Sequence, residues 1–166
     1  MRRAILMPAV VMAFFGGCAG PVVPEGIYRG TVTSITRMYQ NGLLLYQEVG
    51  SMTTVAPVGP SGLPLTDDNQ PMYVGYTKSQ TVGGMEMQLT VTGIQSLNDG
   101  FIIEYDVGIL YTAGEDELLM TGWAHDVVTV TDTSALDYTG QMYVAHTFDD
   151  GTTLAMSIDF AGQLNP

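Results

Sequence analysis

The residues of this chain whose types could do chemistry are two histidines, a few serines and a scatter of acid pairs. His125 and His146 are the only histidines, and His125 sits in Trp123-Ala124-His125-Asp126. With Ser34 or Ser157 it could supply the side chains of a nucleophilic triad. A triad is defined by mutual geometry, and no Gly-x-Ser-x-Gly elbow marks a nucleophile here. His125, Asp126 and His146 could also ligate a metal, but no His-x-x-x-His or Cys-x-x-Cys spacing brings two ligands to one ion. Asp67-Asp68, Glu115-Asp116-Glu117 and Asp149-Asp150 could offer oxygens to Ca²⁺. The ligand spacing of an EF-hand loop is absent, and Asp and Gly in hairpin turns follow from turn chemistry alone. Gly83-Gly84 precedes no helix and so cradles no phosphate. The expectation is a protein that is not an enzyme, with no catalytic residue, no metal and no cofactor.

Composition narrows the partners. The chain has seventeen acidic and five basic residues, a formal net charge of −12. Arg2 and Arg3 lie in the N-terminal segment, so the remainder is more negative still, with Arg29, Arg37 and Lys78 as its cations. Such a field repels nucleic acid and favours basic partners or cations. Apolar residues make up 46 % of the chain, so this is not a disordered tail. Length argues for one domain.

The one cysteine is Cys18. Before it come Arg2-Arg3, an apolar run over 4–15, and Gly16-Gly17. That run is short of the ~20 residues that span a bilayer and suits a secretory signal. Phe15-Gly16-Gly17-Cys18 resembles the lipobox of bacterial lipoproteins, with Phe15 where that family usually has Leu. The resemblance implies a diacylglyceryl group on the Cys18 thiol, cleavage just before Cys18 and acylation of the new amine. Ala19, in place of Asp, implies sorting to the outer membrane, most simply facing the periplasm. An ordinary cleaved signal with an incidental cysteine is the alternative. A lone thiol in an oxidising compartment is a liability that acylation removes. The expected organisation is a signal peptide over 1–17, the lipidated Cys18 and a Pro-rich tether over 18–26, a β domain over 27–162 and a frayed tail beyond.

The domain must be built from strands. Turn signals recur at hairpin spacing: Asn41-Gly42, Gly83-Gly84, Asn98-Asp99-Gly100, the acidic turn 113–116, the segment 132–137 and Asp149-Asp150-Gly151. Between them lie eight predicted strands: 27–39, 43–55, 72–82, 85–96, 101–112, about 117–131, 138–148 and 152–160. The sixth is expected to break or bulge near His125-Asp126. The loop over 56–71, with its four prolines, is the one long irregular connection. Alternation supports the strands: Phe101, Ile103, Tyr105, Val107, Ile109 and Tyr111 share one face, with Glu104, Asp106 and Thr112 on the other. No helical period follows Cys18.

The expected fold is therefore an all-β antiparallel meander, closed into an eight-stranded up-and-down barrel that removes both open edges. A two-sheet β-sandwich is the alternative. Period-2 alternation does not say whether the apolar face points inward or toward lipid. The lipid anchor, the spread of aromatics along the strands and the Leu164-Asn165-Pro166 end favour inward. Gly26-Ile27-Tyr28-Arg29-Gly30 is similar to the Gly-x-Trp opening of lipocalin-type barrels, with Tyr28 in place of Trp. That resemblance implies a ring that plugs the closed end of a barrel. Two functions fit. One is a barrel that holds a small apolar ligand among Met, Leu, Ile, Phe and Tyr. The other is a protein-binding or assembly module steered by its acidic surface to a basic envelope partner, with the loop over 56–71 as the contact segment.

Overall fold

A computed structural model describes residues 23–82, 85–113, 116–131 and 134–166. Cys18, the signal segment and most of the tether lie outside the described residues. So do Gly83-Gly84, Glu115 and part of the turn after the sixth strand. The described chain is all β: β1 Gly26–Gln40, β2 Leu43–Val58, β3 Thr77–Val82, β4 Met85–Ser96, β5 Gly100–Ala113, β6 Asp116–Val130, β7 Leu136–Thr147 and β8 Thr153–Asn165.

The meander is as expected, and it is one curled sheet, not a two-sheet sandwich. Every neighbouring pair is antiparallel, in the order β2-β1-β8-β7-β6-β5-β4-β3. β1 and β8 join the two ends of the chain, from Arg29↔Asn165 to Gln40↔Leu154. The β1/β2 hairpin turns on Asn41 and Gly42, both at positive φ (50° and 80°). That is the backbone of a tight hairpin turn, and Asn-Gly adopts it readily.

Closure is incomplete, contrary to the expected ring without edges. β2 and β3 are not paired, so the sheet is a half-barrel with a gap between them. The connection explains why. The chain from 72 to 76, predicted to begin the third strand, is irregular, and β3 starts only at Thr77. There the backbone follows β4 instead of β2: Gly75 N–H donates to Val91 O, and Val91 N–H donates to Tyr76 O. Residues 59–76 fold across the lower end, where Leu63, Met72 and Tyr76 pack on the core. The loop predicted as a free contact segment is thus partly a floor.

Two further expectations change. β6 runs unbroken through His125-Asp126, paired on both sides. The irregularities fall instead at Met38/Tyr39 and Val91/Gly93. The tail expected to fray beyond 162 is strand: Gln163 to Asn165 pair with β1, and Leu164 is buried. Val23, assigned to the tether, is also buried, and the Tyr28 hydroxyl donates to Pro24 O at 2.9 Å.

The apolar face points inward, as two clusters at different heights. The lower one gathers Tyr28, Val32, Val91, Phe101, Ile103 and Leu136, with Tyr28 only 1 % exposed. The upper one gathers Val107, Ile109, Met120, Met142, Val144 and Met156. Burial of such side chains stabilises a fold by about 1.5–3 kcal/mol each.

Candidate ligand-binding site

A cavity of about 450 Å³ lies inside the curl of the sheet, and all eight strands contribute side chains to it. Much of its wall is soft and apolar. Met85 and Met87 of β4, Met142 of β7, Met156 of β8 and Met52 of β2 all reach it. Ile109, Ile158 and Phe160 complete that wall. Beside the gap the lining turns polar, with Ser34, Thr54 and Gln80. Inward positions recur every second residue along each strand, which is how a sheet alternating in hydropathy makes an apolar interior.

One charged residue, Asp126, lines this cavity among the described residues. It occupies an inward position of β6, in phase with Leu118, Met120, Ala124 and Val128. Its carboxylate accepts two phenolic hydrogen bonds. Tyr138 Oη donates to Oδ1 at 2.8 Å, and Tyr105 Oη donates to Oδ2 at 3.1 Å. All three side chains are half-buried, surrounded by protein but open to the cavity. Burial pushes the Asp126 carboxyl above its ordinary range, although both tyrosine hydrogen bonds and His125 pull it down. Burial and the nearby carboxylate push both tyrosines up as well, so they remain protonated donors.

The backbone makes room for this group. Gly140 of β7 lies directly across from Asp126. A Cβ there would sit 2.7 Å from Asp126 Oδ1, closer than real contacts allow, and a tight 3.1 Å from Tyr138 Oη. The missing side chain is where the carboxylate and the Tyr138 hydroxyl meet. Phe160 follows Gly140 in the same row of the sheet, and Ser34 follows Phe160.

The other residues singled out from the sequence are not brought together. His125 adjoins Asp126 but faces outward. It stacks on Trp123 at 5.6 Å, and Trp123 stacks on Tyr143 at 6.5 Å. Trp123 and Tyr143 are exposed, so this is an outer-face ladder and not a packed cluster. His146 belongs to the upper rim, with Nδ1 2.8 Å from Leu119 O and its ring edge-on to Phe148. Ser34 is inside the cavity, across the sheet from His125. Ser157 shares the outer face with His125, but β7 lies between their strands. Among the described residues no three His, Cys, Asp or Glu side chains are close enough to hold a metal ion. Asp67 is bonded by Lys78 at 2.9 Å, and that ammonium holds its carboxyl below the usual range. Asp150 accepts from the Thr152 amide at 2.8 Å, a turn-forming contact that also lowers its carboxyl.

Sequence reasoning gives Tyr105, Tyr138 and Gly140 no functional role, and offers Asp126 as a metal ligand and as a place for the strand to bulge. The signal was a carboxylate on the apolar phase of β6, which was read as a break in the strand. Compared with known proteins, the chain matches no family model, no curated protein and no solved structure.

Proposed function

We propose that this protein is a non-enzymatic lipoprotein of the outer membrane whose half-barrel holds one small, largely apolar ligand. In this reading the lipid on Cys18 holds it to the membrane, and the domain faces the periplasm. The observation that carries the binding role is the cavity. Its volume of about 450 Å³ falls in the range of small-molecule sites, about 300–1,000 Å³. Its wall is apolar with a few convergent polar groups, the pattern that encloses a ligand and fixes its orientation. Methionine is unbranched and polarizable, so the thioethers on this wall can adapt to a ligand's shape.

Native mass spectrometry on residues 22–166, purified gently from a bacterial periplasm, tests the reading. A discrete extra mass of small-molecule size, lost on denaturation and absent from Ala124→Phe, is the expected result. Ala124 lines the cavity, and the larger ring occupies its space. A clean apo mass for the unaltered domain overturns it.

One observation favours a second reading, a protein-binding module. The outer edge of β2 pairs with no second strand, and Leu43, Leu44, Leu45, Tyr46 and Val49 along it are exposed. A free edge is a template for another strand. A basic partner steered by the acidic field would associate at a rate that falls steeply with salt.

A further inference from the structure

The polar group inside the cavity narrows the ligand. Asp126 carries two oxygens, and each takes one tyrosine proton. Tyr105 and Tyr138 have one proton each, and both are spent on the carboxylate. A carboxylate has about four lone-pair sites, so acceptor capacity remains on Asp126 and on both phenolic oxygens. No Lys, Arg or His lines the cavity among the described residues. An ionised Asp126 is therefore hydrogen-bonded but has no counter-charge within the cavity, His125 lying on the outer face of the sheet. Phe160 and the two tyrosines bring aromatic rings to the same space, a common setting for organic cations. The net charge of −12 draws cations toward the domain.

We infer that the cavity takes a molecule with an apolar body and a cationic nitrogen, the nitrogen seated on Asp126 between Tyr105 and Tyr138. This rests on the reading of the cavity as a ligand site. The N–H groups supply the donors that the carboxylate and phenolic oxygens lack, and the positive charge offsets the buried negative one. The apolar body lies against the methionines. Because burial favours the neutral carboxyl, the bound cation and a proton on Asp126 compete. Tyr105 and Tyr138 face that carboxyl from β5 and β7, and His125 adjoins it on β6 but points outward.

Three probes of equal chain length test this by calorimetry below their micellar or solubility limits: decylamine, decan-1-ol and decanoate. The protein is residues 22–166, which hold every strand and both core clusters. Decylamine is expected to bind at least tenfold more tightly than decan-1-ol. Asp126→Asn should abolish that preference, so that decylamine binds no more tightly than decan-1-ol. Its surface charges are unchanged, so attraction of the amine to the acidic exterior would survive in it. Tyr138→Phe keeps the carboxylate and serves if Asp126→Asn does not fold; it should retain the preference for the amine. Affinity for decylamine should fall at least tenfold on acidification, as Asp126 gains its proton. Equal binding of amine and alcohol, or tightest binding of decanoate, overturns the cationic ligand and leaves the apolar site standing. Binding of none of the three overturns both readings.

Discussion

Asp126 concentrates the consequences of single residues. Its carboxyl is raised by burial, so the folded state holds its proton more tightly than the unfolded chain does. The stability this group confers is fully present below the ordinary carboxylate range. It is lost as pH rises through the raised value, because the fold must then carry a buried charge. Asp126→Asn removes that loss. Melting temperatures of the two proteins should converge in acid, with the variant relatively more stable as pH rises; parallel curves would contradict the assignment. Gly140 gives a second test. Gly140→Ala drives a Cβ into Asp126 Oδ1, and overpacking of this kind costs about 1–3 kcal/mol. Combined with Asp126→Ala, the same substitution should cost much less, since its clash is gone. Urea unfolding of the two single variants and the double variant measures that coupling. The sequence displayed this site only as a carboxylate on an apolar phase. Tyr105 and Tyr138 looked like ordinary core aromatics until neighbouring strands aligned their hydroxyls.

At the scale of elements, β8 decides how the sheet curls. It pairs with β1 on one side and β7 on the other, and its last residues hold the lower end shut. Leu164 is 2 % exposed in the lower cluster. Leu164→Ala should therefore cost about 2–5 kcal/mol in urea unfolding. Leu43→Ala, on a side chain 70 % exposed, should stay within about 0.5 kcal/mol. A frayed tail would reverse the order. Across the outer face, Arg37 joins two other strands to β1 and, through Asp159, a third. Its Nε donates to Gln47 Oε1 on β2 at 3.1 Å, and its Nη1 donates to Asp159 Oδ2 on β8. Asp159 Oδ1 in turn accepts from Gln141 on β7 at 3.1 Å. This ladder lies beside the gap, where β2 has only one neighbour. Strand positions were legible because alternation and turn residues are local signals. The pairing of β1 with β8 and the lack of pairing between β2 and β3 were not, because they join residues far apart in sequence.

For the whole molecule, the proposed anchor and the cavity are separate claims with separate tests. The lipid attachment concerns Cys18. Protein extracted from membranes should begin at Cys18 and carry the mass of a diacylglyceryl group and an acyl chain, and Cys18→Ala should carry none. A Cys18 terminus with no added lipid would contradict the anchor and leave the cavity untouched. The acidic surface bears on both functions, since it attracts an organic cation and a basic protein alike. The cavity separates them: it has a volume and, among the described residues, one charged group, whereas the free β2 edge offers backbone hydrogen bonds to any extended chain.

From the sequence alone came the all-β class, the number of strands, most of their limits and the acidic balance. Each of these rests on period-2 alternation, on turn residues such as Asn41-Gly42, or on composition, and none needs distant residues to meet. Only the tertiary structure decided that the apolar face turns inward, that the ring stops short between β2 and β3, and that loop 59–76 closes the lower end. It alone set Asp126 under two tyrosine hydroxyls opposite Gly140. Those features depend on register between strands, and register is fixed by the packing of the whole sheet, not by any one segment of it.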